Sequence, residues 1–230
     1  MMDKKVLIIN ASPRVNGHIS RLLGMAKESL EADGYSVTEF AVGASAYRHC
    51  TGCMACRSRG TCILPDDDAH RFAALLRDHD LIVLGSPCYW GNMPGQLKGL
   101  FDRVVYAMMD DNKSAMPRPL MKGKRAVVIV TSTTPWPWNI FFHQTTGTIR
   151  VLREIFRYSG IRIAATLQKG NTRNRPGITP SDTRRLTRLL HRLTTESLIL
   201  DMDSLSGMML MRTSLTLVSL YGIITVLYKK

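Results

Sequence analysis

The chain has 230 residues, 45% of them hydrophobic and 21% charged, which excludes wholesale disorder and leaves room for one sizeable α/β domain and hardly two. Its formal charge of +13 is uneven: residues 1–116 carry 13 basic and 13 acidic side chains, residues 117–193 carry 15 and 2, and residues 194–230 carry 3 of each. Such a block suits an anionic partner (a phosphorylated cofactor, nucleic acid or an anionic membrane surface), or it is a solvated basic face.

Met1–Lys5 leads straight into the apolar run Val6–Ile9, too short for a signal-peptide core and without a small-residue cleavage site behind it. A cytoplasmic protein is expected. Lys5–Asn10 reads as a strand buried on both faces. A polar loop, Ala11–His18, follows, and Ile19–Ala32 is a helix with Leu22, Leu23, Ala26 and Leu30 at helical spacing. Asp33-Gly34 ends it, and Tyr35–Phe40 alternates as a second strand. Next come a cysteine-rich segment and the triplet Asp66–Asp68, whose carboxylates suit the start of a helix over Ala69–Asp78. The third strand is Leu81–Leu84. A loop rich in Tyr, Trp, Gly, Asn and Pro leads to a helix from Gly95 to Met109. Arg125–Thr131 is the fourth strand, Gly147–Ser159 a helix, Ile161–Leu167 the fifth strand and Ser181–Thr194 a basic helix. This β-α alternation argues for a doubly wound parallel sheet in the order 2-1-3-4-5 with helices on both faces, and a ligand crevice beyond the strands' carboxyl ends. Residues 1–195 are taken as that domain. Residues 196–230 form an apolar extension whose sixteen uncharged residues, Thr213–Tyr228, fall short of the roughly 20 of a spanning helix. A packing or dimer arm, membrane contact and a tail foreign to the domain all fit it.

Two loops at strand ends carry the chemistry. In Asn10–Ser20 a buried strand runs through Ser12, Arg14 and Asn16 into a helix, so free backbone N–H groups and the positive helix end face one phosphate. Ser12, Asn16 and Ser20 can donate to it and Arg14 can neutralise it. The loop is neither G-x-G-x-x-G nor a P-loop, which disfavours a Rossmann dinucleotide site and an NTPase. In Gly85–Gly95 prolines stiffen a loop whose glycines let backbone approach a flat ring, with Tyr89 and Trp90 available to lie against it. No Ser-His-Asp order suggests itself, and His49, His70, His79, His143 and His191 read as structural.

Together these loops, Ala-Ser-Pro-Arg-x-Asn-Gly-x-x-Ser and Gly-Ser-Pro-x-Tyr-Trp-Gly-x-Met-x-Gly-Gln-Leu-Lys, resemble the NADPH-dependent FMN reductase family, and within it the branch that includes iron–sulfur flavoproteins. The resemblance covers residues 4–194. It implies a flavodoxin-like fold, non-covalent FMN, NAD(P)H as co-substrate, a small-molecule electron acceptor (quinone, flavin, nitro-compound or oxygen), and a homodimer or homotetramer. By this resemblance Ser12, Arg14, Asn16, His18, Ile19 and Ser20 hold the FMN phosphate. Pro87, Cys88, Tyr89, Trp90, Gly91, Asn92 and Met93 flank the isoalloxazine, with Cys88 simply a small residue there. Ser132, Thr133 and Thr134 complete the pocket. No protein residue is catalytic in hydride transfer itself; the cofactor carries it. Nucleic acid is not an expected partner, although a polyanion- or membrane-binding protein on a flavodoxin scaffold is the reading the basic block would favour.

Cys50, Cys53, Cys56 and Cys62 stand in a C-x2-C-x2-C-x5-C spacing that can wrap a [4Fe–4S] cluster, hold zinc, or remain four reduced thiols. The spacing and the Asp-Asp after it resemble the compact cluster motif of iron–sulfur flavoproteins, which makes an electron carrier with a protein partner the second reading. Arg57 and Arg59 beside the thiols favour thiolate character.

Overall fold

The computed structural model describes residues 5–110, 117–174 and 177–195. The extension expected over 196–230 lies outside the described residues. Five strands form one parallel sheet: β1 (Lys5–Asn10), β2 (Ser36–Ala41), β3 (Leu81–Pro87), and, beyond a short antiparallel ribbon of β4 (Met109–Asp110) with β5 (Arg118–Pro119), β6 (Arg125–Thr131) and β7 (Arg162–Lys169). Their order is β2-β1-β3-β6-β7, which is the expected 2-1-3-4-5 once the ribbon is set aside. Register places Ile9 between Phe40 and Leu84, and Val83 beside Val127. The apolar runs β1, β3 and β6 sit in the middle, covered on both faces; β2, at an edge, buries only Phe40 fully.

Two apolar clusters flank the sheet. One packs α3 (Asp68–Asp78), α4 (Gly95–Arg103), α5 (Val105–Met108) and α7 (Gln144–Ser159) through Phe72, Leu97, Phe101, Leu152 and Phe156. The other packs α1 (His18–Ala32) and the last described helix, residues 180–195, through Leu22, Leu23, Leu186 and Leu190. The helical periodicity of each segment therefore meets a face of the sheet.

Some elements differ from their sequence patterns. The helix expected from Gly95 to Met109 breaks at Val104, whose N–H is shared between the carbonyls of Leu100 and Phe101 at 3.2 Å each. Adjacent β-branched residues, Val104-Val105, propagate a helix poorly. Helix α7 begins at Gln144, before Gly147, and the loop ahead of it contains a short helix, α6 (Trp138–Phe141). The cysteine segment contains α2 (Ala55–Arg59), bounded by left-handed Met54 (φ 60°) and Gly60 (φ 70°). The Asp66–Asp68 triplet caps α3 as expected: Asp67 accepts the Ala69 N–H at 3.0 Å, and its own N–H reaches His70 Nδ1.

The basic block is partly consumed by folding. Lys124 is buried and donates to the carbonyls of Arg77 and His79 at 2.7 and 2.9 Å. Lys169 makes a buried ion pair with Asp182 at 2.6 Å, tying the end of β7 to the last helix. Burial opposes ionisation of Asp182, yet the bonds from Lys169 and Thr179 outweigh it and hold this carboxyl below the usual range.

Candidate functional site

In a parallel sheet all strand carboxyl ends share one edge, and strands β1 and β3 send their chains to opposite sides there, opening a crevice. Backbone bonds extend the ladder into the loop roots. Ala11 N–H donates to the Gly85 carbonyl at 2.9 Å, Cys88 N–H to Thr131 at 2.8 Å, and Ser132 N–H to Lys169 at 2.9 Å. The loops after β1, β3 and β6 thus leave the sheet side by side.

They line two adjoining cavities. One of about 110 Å³ is bounded by Ser12, Arg14, His18, Ile19, Pro87, Cys88, Tyr89, Ser132 and Thr133. The other, about 610 Å³, is bounded by Arg14, Asn16, His18 and Thr133, together with Arg21 and Arg173. Gly17, the N-cap of α1, has no side chain to offer, and no acidic residue stands in the first turn. The positive end of α1 therefore faces a cavity with three arginines and, among the described residues, no carboxylate. The loop holds its own shape: Arg14 N–H donates to Ser12 Oγ at 3.1 Å, and Ser20 Oγ donates to the Arg14 carbonyl at 2.8 Å while accepting Asn10 Nδ2 at 3.1 Å.

Of the remaining expected residues, Ser20, Trp90, Gly91, Asn92, Met93 and Thr134 do not line these walls. Ser20 acts on the loop rather than lining the cavity. Trp90 and Gly91 form a tight turn, φ 54° and 71°, closed by two backbone bonds between Tyr89 and Asn92. Trp90 is wholly exposed at its tip. Met93 is 4% exposed and belongs to the core, so its side chain supports the loop from beneath. Cys88 donates its thiol to the Gln144 carbonyl at 3.0 Å, tying the loop to α7. Thr134 gives its carbonyl to the Asn171 N–H at 2.9 Å. Five cavity residues, Gly17, Arg21, Thr131, Thr172 and Arg173, are not among the expected ones. Arg21 is one helical turn beyond His18, and Thr172-Arg173 follow the fifth strand at the same edge, so both signals were available. An aromatic rim of Trp136, Trp138, Phe141 and Phe142 stands exposed on the third loop and α6, with Trp138 stacked on Phe142 at 5.5 Å.

The loop after β2 carries the thiols. Cys50, Cys53, Cys56 and Cys62 all border one apolar cavity of about 100 Å³, with Arg103 and Asp102 from the end of α4. Among the described residues no three metal-binding side chains are gathered tightly enough for a single ion. Burial and the neighbouring thiols push Cys56 up, whereas the Ala55 N–H and the Thr51 hydroxyl hold Cys53 down. Arg103 donates to the Cys62 sulfur; Arg57 borders the thiol cavity and, with Arg59, a neighbouring groove of about 450 Å³. No described helix is long and apolar enough to cross a membrane.

Comparisons with known proteins agree with this architecture. The chain is 32% identical over 127 residues to an iron–sulfur flavoprotein of Archaeoglobus fulgidus, covering 55% of this chain and 53% of that one. It is 42% identical over 59 residues to an FMN-dependent NADH:quinone oxidoreductase of Pectobacterium atrosepticum, covering 25% and 29%. The chain thus spans about half the length of the iron–sulfur flavoprotein, and less of the oxidoreductase. An FMN-dependent NADH-azoreductase of Bacillus anthracis, solved with FMN, superposes with a TM-score of 0.63 at 15% identity over 83% of this chain and 98% of that one; this likeness is one of fold. The family described as a flavodoxin-like fold matches residues 4–186, and the chain belongs to it.

Proposed function

We propose that this protein is an NAD(P)H-dependent oxidoreductase that binds FMN at the carboxyl edge of its sheet and passes electrons to a small acceptor. The carrying observation is the shared cleft of the loops after β1, β3 and β6, with Arg14 and the uncapped start of α1 at one end and Tyr89 at the other. Arg14, Asn16 and the first turn of α1 would hold the phosphate. Pro87, Tyr89 and the Ser132-Thr133 backbone would border the ring. When bound, FMN supplies a site that takes a hydride and releases electrons singly or in pairs. The chain's part is to orient the ring, neutralise the phosphate, and offer an apolar approach for a flat acceptor past the exposed aromatic rim. The names of the relatives support this reading, with quinones and azo compounds as acceptor classes. Assembly as a homodimer or homotetramer belongs to the same proposal, since an exposed cluster of four large aromatics suits an interface.

One observation favours an iron–sulfur centre beside the flavin: all four cysteines of the motif border a single apolar cavity. Zinc would need its sulfurs about 2.3 Å from one point, whereas a four-iron cluster keeps its thiolates further apart. Cys50, Cys53, Cys56 and Cys62 would hold it, and it would supply one-electron transfer.

The test is an absorbance spectrum of protein purified without oxygen, before and after NADPH, with FMN and iron assayed in the same sample. Flavin bands that bleach on NADPH support the oxidoreductase, and about four irons per chain add the cluster. Colourless protein that refuses added FMN overturns the proposal.

A further inference from the structure

The two ends of the thiol segment are knotted together. Asp68 Oδ2 accepts the Ala46 N–H at 2.7 Å, and Asp67 Oδ2 accepts the Arg48 N–H at 3.1 Å. Arg103, the last residue of α4 and 2% exposed, closes on this knot. Its Nε donates to the Arg48 carbonyl at 2.6 Å, its Nη2 to Asp67 Oδ2 at 2.8 Å, and its Nη1 to the Cys62 sulfur. One planar fork therefore touches the beginning of the segment, its end and its last thiol, which a lysine's single ammonium cannot do. The remaining contacts lay the segment along α4. The Tyr47 hydroxyl donates to the Gln96 carbonyl, and His49 lies so close to Gly99 that a Cβ there would come within 2.6 Å of its Nδ1. Burial opposes ionisation of both Asp67 and Arg103. Their mutual bond outweighs it, holding the carboxyl below and the guanidinium above their ordinary ranges.

We propose that Arg103 is the positioning residue of the thiol site: it clasps the segment shut with Cys62 in place, and its bond to the Cys62 sulfur raises the reduction potential of a cluster held there. The clasp belongs to the metal-free chain. Only the effect on potential rests on the cluster reading above. Its physical basis is that an N–H donated to a ligating sulfur stabilises the more negative, reduced form of the centre.

The test compares wild type with Arg103→Lys, which keeps the charge but not the fork. In metal-free protein, amide hydrogen exchange at Ala46, Arg48 and Asp68 should be about tenfold faster in the variant, as expected for losing a charge-assisted bond, with the sheet unaffected. Wild-type exchange there overturns the clasp. In iron-loaded protein, an EPR-monitored titration should give Arg103→Lys the lower potential; equal potentials overturn the tuning. Wild-type protein that takes up no iron overturns the cluster reading and the tuning with it, and the exchange result still decides the clasp. Should Arg103→Lys not fold, Asp67→Asn replaces it, because asparagine still caps α3 while losing the ion pair. Faster exchange at Ala46, whose own acceptor Asp68 is unchanged in this variant, is then the expected result. Unchanged exchange overturns the clasp again.

Discussion

The loops proposed to hold FMN and the thiol segment leave the same edge of one sheet but are held by different means. The first are continuations of strands, rooted by backbone bonds between Ala11 and Gly85, Cys88 and Thr131, and Ser132 and Lys169. The second wanders from Ser45 to Asp66 with a five-residue helix inside it, and it is fastened at its ends mainly by side chains, Tyr47, Asp67, Asp68 and Arg103, with one backbone bond from the Asp68 N–H to the Ala46 carbonyl at 3.2 Å. Backbone rooting makes a cleft whose shape survives most side-chain changes. Side-chain clasping makes a site that one substitution can open.

The largest expected effect lies on the rooted side. Asp182→Ala leaves Lys169 buried and unpaired at the end of β7, and should cost about 3–5 kcal/mol in urea unfolding. The same pair sets an acid limit. Because the folded Asp182 carboxyl lies below its unfolded value, its contribution is complete above about pH 4 and is lost as pH falls through the folded value. Wild-type stability should drop there more steeply than that of Asp182→Ala. Arg14→Gln should weaken FMN binding by about 10- to 100-fold, the worth of one charge-assisted phosphate contact, and leave riboflavin binding unchanged; an equal loss for both ligands would move the phosphate elsewhere. Gly147→Ala would set a methyl on the Gly91 carbonyl oxygen, and should cost about 1–3 kcal/mol and loosen the flavin loop without touching exchange at Arg48. Gly99→Ala is the smallest in global terms. The helix gains up to about 1 kcal/mol while the His49 ring is pushed aside, so melting should barely move and exchange in the thiol segment should rise. If Gly99→Ala instead weakened flavin binding as much as Gly147→Ala, the two regions would not be independent.

Much of the cleft proposed for FMN was legible in the sequence. Ser12, Arg14 and Asn16 precede an amphipathic helix, and Tyr89 follows a strand apolar throughout, so the rule that strand carboxyl ends share an edge brings them together. The rule was applied incompletely, which is why Thr172 and Arg173 after the fifth strand went unread. The burial of Met93 was not legible in sequence, because a loop residue and a core residue look alike when the turn beside them, Trp90-Gly91, depends on two positive φ angles. The break at Val104 and the turn of helix before Gly147 were invisible to periodicity, which locates faces better than ends.

Read alone, the chain dictates its sheet, the order of its layers and the two polar loops, because those follow from local alternation and from the short connections that parallel strands require. The thiol spacing is equally local. Only folding brings a distant cation to the thiols. Arg57 and Arg59 are neighbours in sequence, yet Arg103, 41 positions from Cys62, also reaches the site and donates to that sulfur. The packing of α4 against the thiol segment brings them together, and no pattern of charge along the chain records that meeting.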